Sequence, residues 1–334
     1  METKLLKESE IAVAGKILRD GGLVAFRTET VYGLGADATS EAAIQKIYKA
    51  KNRPAGNPLI VHFSDINHID EYFLVPDTER LLLQIKSLTV LLPLKCLQKE
   101  LAKSVTGGNP SVAVRIPCCG FSRKLIKAAG VPIAAPSANT STRPSPTKWE
   151  AVQEDLDGAI DAIVMGGQTK KGVESTVVKH SGGRLFILRQ GAVDLADLEK
   201  KTGLEVEIAT NKTELKQSPG ARFKHYAPSY PAVMASISGG AVSMALRIAR
   251  SLKQEPAVVI CHSSHRKFYD SDNVIALGKN ARCVKKNFYD SLRVAEKVCK
   301  ERGIGRIIIE EMPPDSKYDT LRERIKKATE GNEI

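Results

Sequence analysis

Short runs rich in aliphatic and β-branched residues alternate with helix-period segments over the first 200 residues, and this alternation constrains the fold more than any other feature. Residues 23–26, 58–63, 88–92, 111–116, 131–135, 162–165, 175–178 and 184–188 each read as a strand. Between them, Ile11, Ala14, Ile17 and Leu18 keep helical spacing in a helix capped by Ser9 and ended by Gly21-Gly22, and Ala43, Ile44, Ile47 and Tyr48 share one face of a second helix. Further helices are expected at 120–129 and 148–156, the latter opened by a Thr147/Glu150 capping box. Arg27 to Asp37 reads as a polar turn in which Gly33 and Gly35 let the chain bend over a ligand. Strand pairs without strict βαβ alternation predict an α/β fold, an open twisted mixed sheet flanked by helices.

The periodicity fades between Glu205 and Pro231, in a segment ending in a Pro-, Gly- and aromatic-rich run, and then resumes. Helices near 240–253 and 284–302, strands at 257–261, 273–277 and 306–312 and a terminal helix predict a smaller Rossmann-like α/β domain. The expected division is a catalytic domain over 1–204, an ordered linker and lid over 205–231, and a C-terminal domain over 232–334. A chain of 334 residues fits two such domains.

Its formal charge of +12 points to an anionic partner. Residues from Pro231 onward hold 19 Lys+Arg against 13 Asp+Glu, so the smaller domain is the more basic per residue. No secretory signal or apolar run of spanning length is present, which predicts a soluble cytoplasmic protein with no membrane partner. The six cysteines lack C-x-x-C spacing and read as reduced core thiols.

Four segments could carry chemistry. The Gly33-Leu-Gly35 loop imitates a dinucleotide fingerprint, but Arg27 to Tyr32 would displace the helix N-terminus from a pyrophosphate, so a nicotinamide oxidoreductase rests on this loop alone. Lys51 and Arg53, released from a helix end by Pro54 and Gly56, can aim at one polyanion or can equally be a solvated helix C-terminus. The run from Pro136 to Thr147 ends a strand in a hydroxyl-rich loop that opens a helix, and Ser137, Asn139, Ser141 and Ser145 suit phosphate oxygens. Arg115 and Arg189 end strands and Glu174-Ser175-Thr176 opens one, so cationic and hydroxyl groups gather where an open sheet places its ligand. His62, taken alone, reads as a structural histidine, and Cys261-His262-Ser-Ser-His265 lacks a fourth ligand for zinc.

In order along residues 20–230, seven motifs together resemble the YrdC-type threonylcarbamoyl-AMP synthase family in its long form. They are Thr28-Glu-Thr30-Val-Tyr32-Gly-Leu-Gly, Lys51-Asn-Arg53-Pro-Ala-Gly-Asn57-Pro-Leu-Ile-Val-His62, Val112-Ala-Val-Arg115-Ile-Pro, Pro136-Ser137 through Thr147, Glu174-Ser175-Thr176-Val-Val, Leu188-Arg189-Gln-Gly191, and Pro219-Gly-Ala-Arg222-Phe-Lys-His225-Tyr226-Ala-Pro228.

That resemblance implies a nucleotidyltransferase: L-threonine and bicarbonate or CO2 form an N-carboxylate that attacks the α-phosphate of ATP, giving threonylcarbamoyl-AMP and pyrophosphate. A downstream threonylcarbamoyl transferase then modifies tRNA. Carried over by position, Thr30, His62, Arg115, Ala135 and Ser175 would hold threonine, and Lys51, Arg53, Asn57, Ser111, Ser137, Asn139, Ser145, Arg189 and Tyr226 would hold ATP, with Lys51 and Arg53 acting in catalysis. Mg2+ would ride on the triphosphate. Adenylyl transfer needs alignment and charge stabilisation more than a protein nucleophile. Three positions depart from the family pattern. Gln84 to Thr89 replaces a Trp-Pro-Gly-Pro-Leu-Thr run and is assigned no role, Thr142 stands where Gly is usual, and Ala221 replaces a Met. The competing expectation is a non-catalytic tRNA or double-stranded RNA binding protein, motivated by charge; aromatic content of 5% argues against base stacking, and a weak tRNA contact is compatible with either reading.

Overall fold

A computed structural model of the chain describes residues 2–54, 56–219, 226–269 and 272–334. The chain divides into two compact units, Met1–Ser141 with Pro146–Phe223, and Thr142–Ser145 with Lys224–Ile334. Of the motif around the linker, Ala221, Arg222 and His225 lie outside the described residues.

In the first unit the strands are β1 (Lys4–Lys7), β2 (Val24–Arg27), β3 (Tyr32–Asp37), β4 (Ile60–His62), β5 (Leu88–Pro93), β6 (Ser111–Arg115), β7 (Ile133–Ala134), β8 (Ala162–Met165), β9 (Thr176–Ser181), β10 (Arg184–Arg189) and β11 (Val206–Ile208). They form one mixed sheet in the order β1-β8-β2-β3-β7-β4-β6-β5-β9-β10-β11. Its helices are α1 (Ile11–Arg19), α2 (Glu41–Lys51), α3 (Ile66–Asp70), α4 (Asp77–Leu83), α5 (Gly120–Ala129), α6 (Trp149–Leu156), α7 (Leu195–Thr202) and α8 (Lys212–Leu215). Alternate residues of a strand feed different cores. Leu23 and Ala25 join the larger cluster, whereas Val24 and Phe26 pack with Leu18 of α1 and Leu125, Ile126 and Ala129 of α5. Burial on both faces is why these strands read as unbroken apolar runs and not as alternating ones.

Several local expectations change. The turn after β2 is shorter than its polar sequence implies, because Tyr32–Asp37 is a strand paired antiparallel to β2. The glycines hid that strand. Gly35 serves packing, since a Cβ there would stand 2.7 Å from Phe26 Cε1 and 2.9 Å from Ile133 Cγ2. Ser9 does not cap α1; it lies in a 3-10 turn, and the N-cap is Glu10, without a side-chain bond. Nor does Thr147 cap α6, which starts after Lys148; the Thr147 carbonyl instead accepts from Thr169 N at 2.9 Å. Within the stretch expected as linker, β11 pairs parallel with β10. All six cysteines are free, but only Cys261 and Cys299 are core thiols, and Cys118 is exposed.

The second unit contains β12 (Ala232–Ala235), α9 (Gly240–Gln254), β13 (Val258–Cys261), β14 (Val274–Ala276), α10 (Ala281–Arg302), β15 (Ile307–Glu310) and α11 (Asp319–Ala328). Its strands form a parallel sheet in the order β12-β15-β13-β14. No helix among the described residues is long and apolar enough to cross a membrane.

Candidate active site

Sheet register sets three of the five predicted threonine-site residues, His62, Arg115 and Ser175, at neighbouring strand ends of the first unit. His62 ends β4 in register with Arg115, which ends β6. Next to them, β5 begins with Leu88 and Thr89, β9 follows Ser175, and Arg189 closes β10 in register with Val177 of β9.

Arg115 organises these strand ends. It is 3% exposed, and its Nη2 donates to the Glu29 carboxylate and, at 3.0 Å, to Thr30 Oγ1. Its Nε is buried and makes no hydrogen bond among the described residues. A cation left with an unspent donor inside a protein is costly unless an anion completes it. Burial pushes the Glu29 carboxyl up, but Arg115 outweighs that and holds it below the usual carboxylate range. Removing one partner of a buried ion pair costs about 3–5 kcal/mol.

The hydroxyls nearby have defined directions. Thr28 Oγ1 donates to the Val31 carbonyl at 2.7 Å, so in its 2.8 Å contact with Thr30 it accepts. Thr30 is thereby left as an acceptor for Arg115. His62 is neutral, its pKa pushed down to about 3 by burial and by the charge of Arg115, and its Nδ1 donates to the Ile60 carbonyl at 3.1 Å. Ser175 Oγ lies 2.7 Å from Thr89 Oγ1 and accepts from Arg189 Nη2 at 3.1 Å. Arg189 also donates to the carbonyls of Ser175 and Pro219. Ala135, 5% exposed, follows β7 and donates its N–H to the Ile60 carbonyl at 2.9 Å.

A second cluster surrounds the Ser-rich loop. Helix α2 ends at Asn52 in a left-handed conformation, φ 49°, which turns the chain so that Arg53 Nη2 donates to the Pro58 carbonyl at 2.8 Å. Asn57 is buried and its carbonyl accepts from Tyr48 Oη at 3.0 Å. Lys51 is 1% exposed, and its Nζ donates to the carbonyls of Ser137, at 2.5 Å, and Asn139. Burial and the neighbouring Arg53 push its pKa down. Asn139 is buried, and Ser141 Oγ is buried without a partner among the described residues. Ser111 Oγ donates to Gln217 Oε1 at 2.9 Å.

Two predicted nucleotide-site residues, Ser145 and Tyr226, fold with the second unit. There Arg293 Nη2 donates to the Pro144 carbonyl at 2.7 Å, and Glu296 accepts from Arg143 Nη1 at 2.7 Å. Thr142, at φ 77°, takes the left-handed conformation that the usual Gly would adopt freely. Tyr226, at φ 70°, is buried, stacked on Tyr289 with ring centroids 5.3 Å apart.

Sequence reasoning passed over Glu29 and Ser87. Glu29 stands between two threonines of a quoted motif, and a carboxylate flanked by short hydroxyl residues with an arginine assigned to the same site was a usable signal. Ser87 Oγ donates to Glu29 Oε1 at 3.2 Å from a residue at φ 63°, a value closed to the Pro of the Trp-Pro-Gly-Pro-Leu-Thr pattern, so this turn is built differently from that pattern. Among the described residues no cluster of three or more His, Cys, Asp or Glu is arranged to hold a metal ion. The Lys, Arg, Ser and Asn donors do not form a protein-held Mg2+ site.

The Sua5/YciO/YrdC family model, described as "Telomere recombination", matches residues 16–191, and the model for the threonylcarbamoyl-AMP synthase C-terminal domain matches 193–329. A threonylcarbamoyl-AMP synthase of Bacillus subtilis is 37% identical, over 98% of this chain and 95% of that protein. One from Pyrococcus abyssi is 34% identical over 95% and 97%. The crystal structure of P. abyssi Sua5 complexed with L-threonine superposes with a TM-score of 0.87 at 32% identity, covering 99% of both chains. With both units matched and relatives spanning nearly the whole length, the chain belongs to the threonylcarbamoyl-AMP synthase family in its long form.

Proposed function

We propose that this chain is an L-threonylcarbamoyladenylate synthase: the N-carboxylate of L-threonine, formed with bicarbonate or CO2, attacks the α-phosphorus of ATP and expels pyrophosphate. The single observation that carries the threonine site is Arg115, a buried guanidinium whose Nε has no acceptor among the described residues. An amino-acid carboxylate is the anion that suits it. Thr30, which accepts from Arg115, is assigned to the same threonine together with His62, Ser175 and the Ala135 backbone. Neutral His62 adds no second charge to the pocket.

Lys51, Arg53, Asn57, Ser111, Ser137, Asn139, Ser145, Arg189 and Tyr226 are assigned to ATP. Lys51 and Arg53 take the catalytic role of stabilising charge as the α-phosphate bonds change, and Lys51 also fixes the loop that meets the nucleotide. Mg2+ would arrive on the triphosphate and neutralise its charge, held by nucleotide oxygens and not by this chain's carboxylates. The product passes to a threonylcarbamoyl transferase that modifies tRNA, and the cytoplasm, where these substrates meet, is the proposed location. A non-catalytic RNA-binding role leaves Arg115 unexplained, because a residue 3% exposed is out of reach of a polynucleotide backbone.

The test is pyrophosphate release by the purified chain with ATP, bicarbonate and L-threonine. Release is expected to require threonine, and threonine-independent release would refute the assignment.

A further inference from the structure

Three donors converge on Glu29, a residue 4% exposed: Arg115 Nη2 and, at 3.2 Å, Ser87 Oγ reach its Oε1, and the Cys118 N–H reaches Oε2 at 3.1 Å. The two protons of Arg115 Nη2 are then both committed, one to Glu29 and one to Thr30 Oγ1. A guanidinium pinned at one terminal nitrogen cannot rotate about its long axis, so the direction of its remaining donors is set by what pins it. The buried donor left without an acceptor among the described residues is Nε.

We propose that Glu29, itself fixed by Ser87, is the positioning residue for Arg115, holding Nη2 so that the Nε donor faces the carboxylate of L-threonine. This deepens the function proposed above and rests on it. Neither Glu29 nor Ser87 is assigned to contact the substrate; both act through Arg115. Two effects of removing the Glu29 charge oppose each other. A free guanidinium must be ordered when substrate binds, which weakens binding, while loss of a nearby anion favours the carboxylate. Because threonine is a zwitterion, the second effect acts on its carboxylate and ammonium with opposite sign, and the ordering cost decides the outcome.

Ser87 offers the milder test. At φ 63° it already holds a conformation that Gly adopts freely, so Ser87→Gly removes the hydroxyl without straining the turn. Glu29→Gln is the stronger variant, since it replaces the charge and turns an amide N–H toward the Cys118 N–H. In steady-state pyrophosphate release by the full chain, Ser87→Gly should raise KM for L-threonine about three-fold. Glu29→Gln should raise it about ten-fold, with kcat and the KM for ATP within about two-fold of the parent. Calorimetry adds a readout that loosened packing would not move: the parent's preference for L-threonine over L-threoninamide, which lacks the carboxylate, should narrow in both variants. An unchanged or lower threonine KM in Ser87→Gly and in any folded Glu29→Gln overturns the proposal, as does a parallel rise in the KM for ATP. If the parent itself releases pyrophosphate without threonine, the function and not the positioning role has failed.

Discussion

The ammonium of Lys51 is bonded to the backbone carbonyl of Asn139, although the two residues are far apart in sequence and Lys51 is almost wholly buried. The same residue grips the loop twice more, through Nζ to the Ser137 carbonyl at 2.5 Å and through its own carbonyl to the Ser141 N–H at 2.7 Å. One lysine at the end of a helix therefore ties down the Ser137–Ser141 segment before any nucleotide arrives.

Lys51→Met retains most of the buried stem and removes only the ammonium. Two carbonyls lose a charged donor, a loss of about 1.5–3 kcal/mol each where no water replaces it. The variant should fold, with a thermal midpoint several degrees lower, and release pyrophosphate at least about 100-fold more slowly, since one donor that aligns and stabilises a transition state is commonly worth that factor. Circular dichroism melts beside the pyrophosphate assay check both halves. A folded variant with near-parental rate would leave Lys51 a structural role only.

His62 gives the fold a pH dependence whose sign is fixed. Its pKa is depressed from 6.5 to about 3 in the folded chain, by burial first and by Arg115 second. Between those values the unfolded state binds a proton that the folded state refuses, so stability rises with pH through that window. The His62 contribution is complete above about pH 6.5 and is lost progressively as pH falls toward 3. Thermal midpoints of the parent should therefore drop between pH 7 and pH 4.5, and His62→Gln should flatten that part of the profile. Equal slopes would show that other groups carry the acid sensitivity.

The placement of several candidate residues was legible in sequence because strand ends can be read from local pattern. Arg115, Ser175 and Arg189 stand at strand ends as expected, and the register, which the sequence does not reveal, sets those ends side by side. Glu29 was less visible, since its significance is a contact with Arg115, 86 residues away in sequence. The strand holding Gly33 and Gly35 was misread for a related reason. Local propensity counts glycine against a strand, whereas the close approach of Phe26 and Ile133 that requires it is tertiary. Ser9 and Thr147 failed as caps because each, though a favourable capping type, stands one residue before the N-cap of a helix that begins two residues later.

Removal of divalent ions separates a nucleotide-borne metal from a protein-borne one. The described residues contain no cluster arranged to hold a metal, so EDTA should leave the thermal midpoint of the nucleotide-free chain unchanged. The same chelator should abolish pyrophosphate release, and added Mg2+ should restore it. A fall in the midpoint on chelation would reveal an ion held by the protein itself.

Gly191 tests whether the Arg189–Ser175 arrangement depends on backbone contact. A Cβ at this position would stand 2.4 Å from both the Ser175 carbonyl carbon and the Thr176 nitrogen, and 2.5 Å from the Glu174 oxygen. All three are backbone atoms, and Thr176 N donates to the Ser87 carbonyl while Ala192 N donates to that of Glu174. Neither side can retreat by a rotamer change. Gly191→Ala should therefore destabilise the chain by about 1–3 kcal/mol, the usual range for overpacking a closed contact. Because the shift falls on Ser175, whose carbonyl and hydroxyl both accept from Arg189, the KM values for threonine and ATP should rise together. That pattern contrasts with Ser87→Gly, where threonine alone is affected. Denaturant unfolding gives the first quantity and steady-state pyrophosphate kinetics the second; a variant with parental stability and parental KM values would show that the backbone yields at this point without consequence.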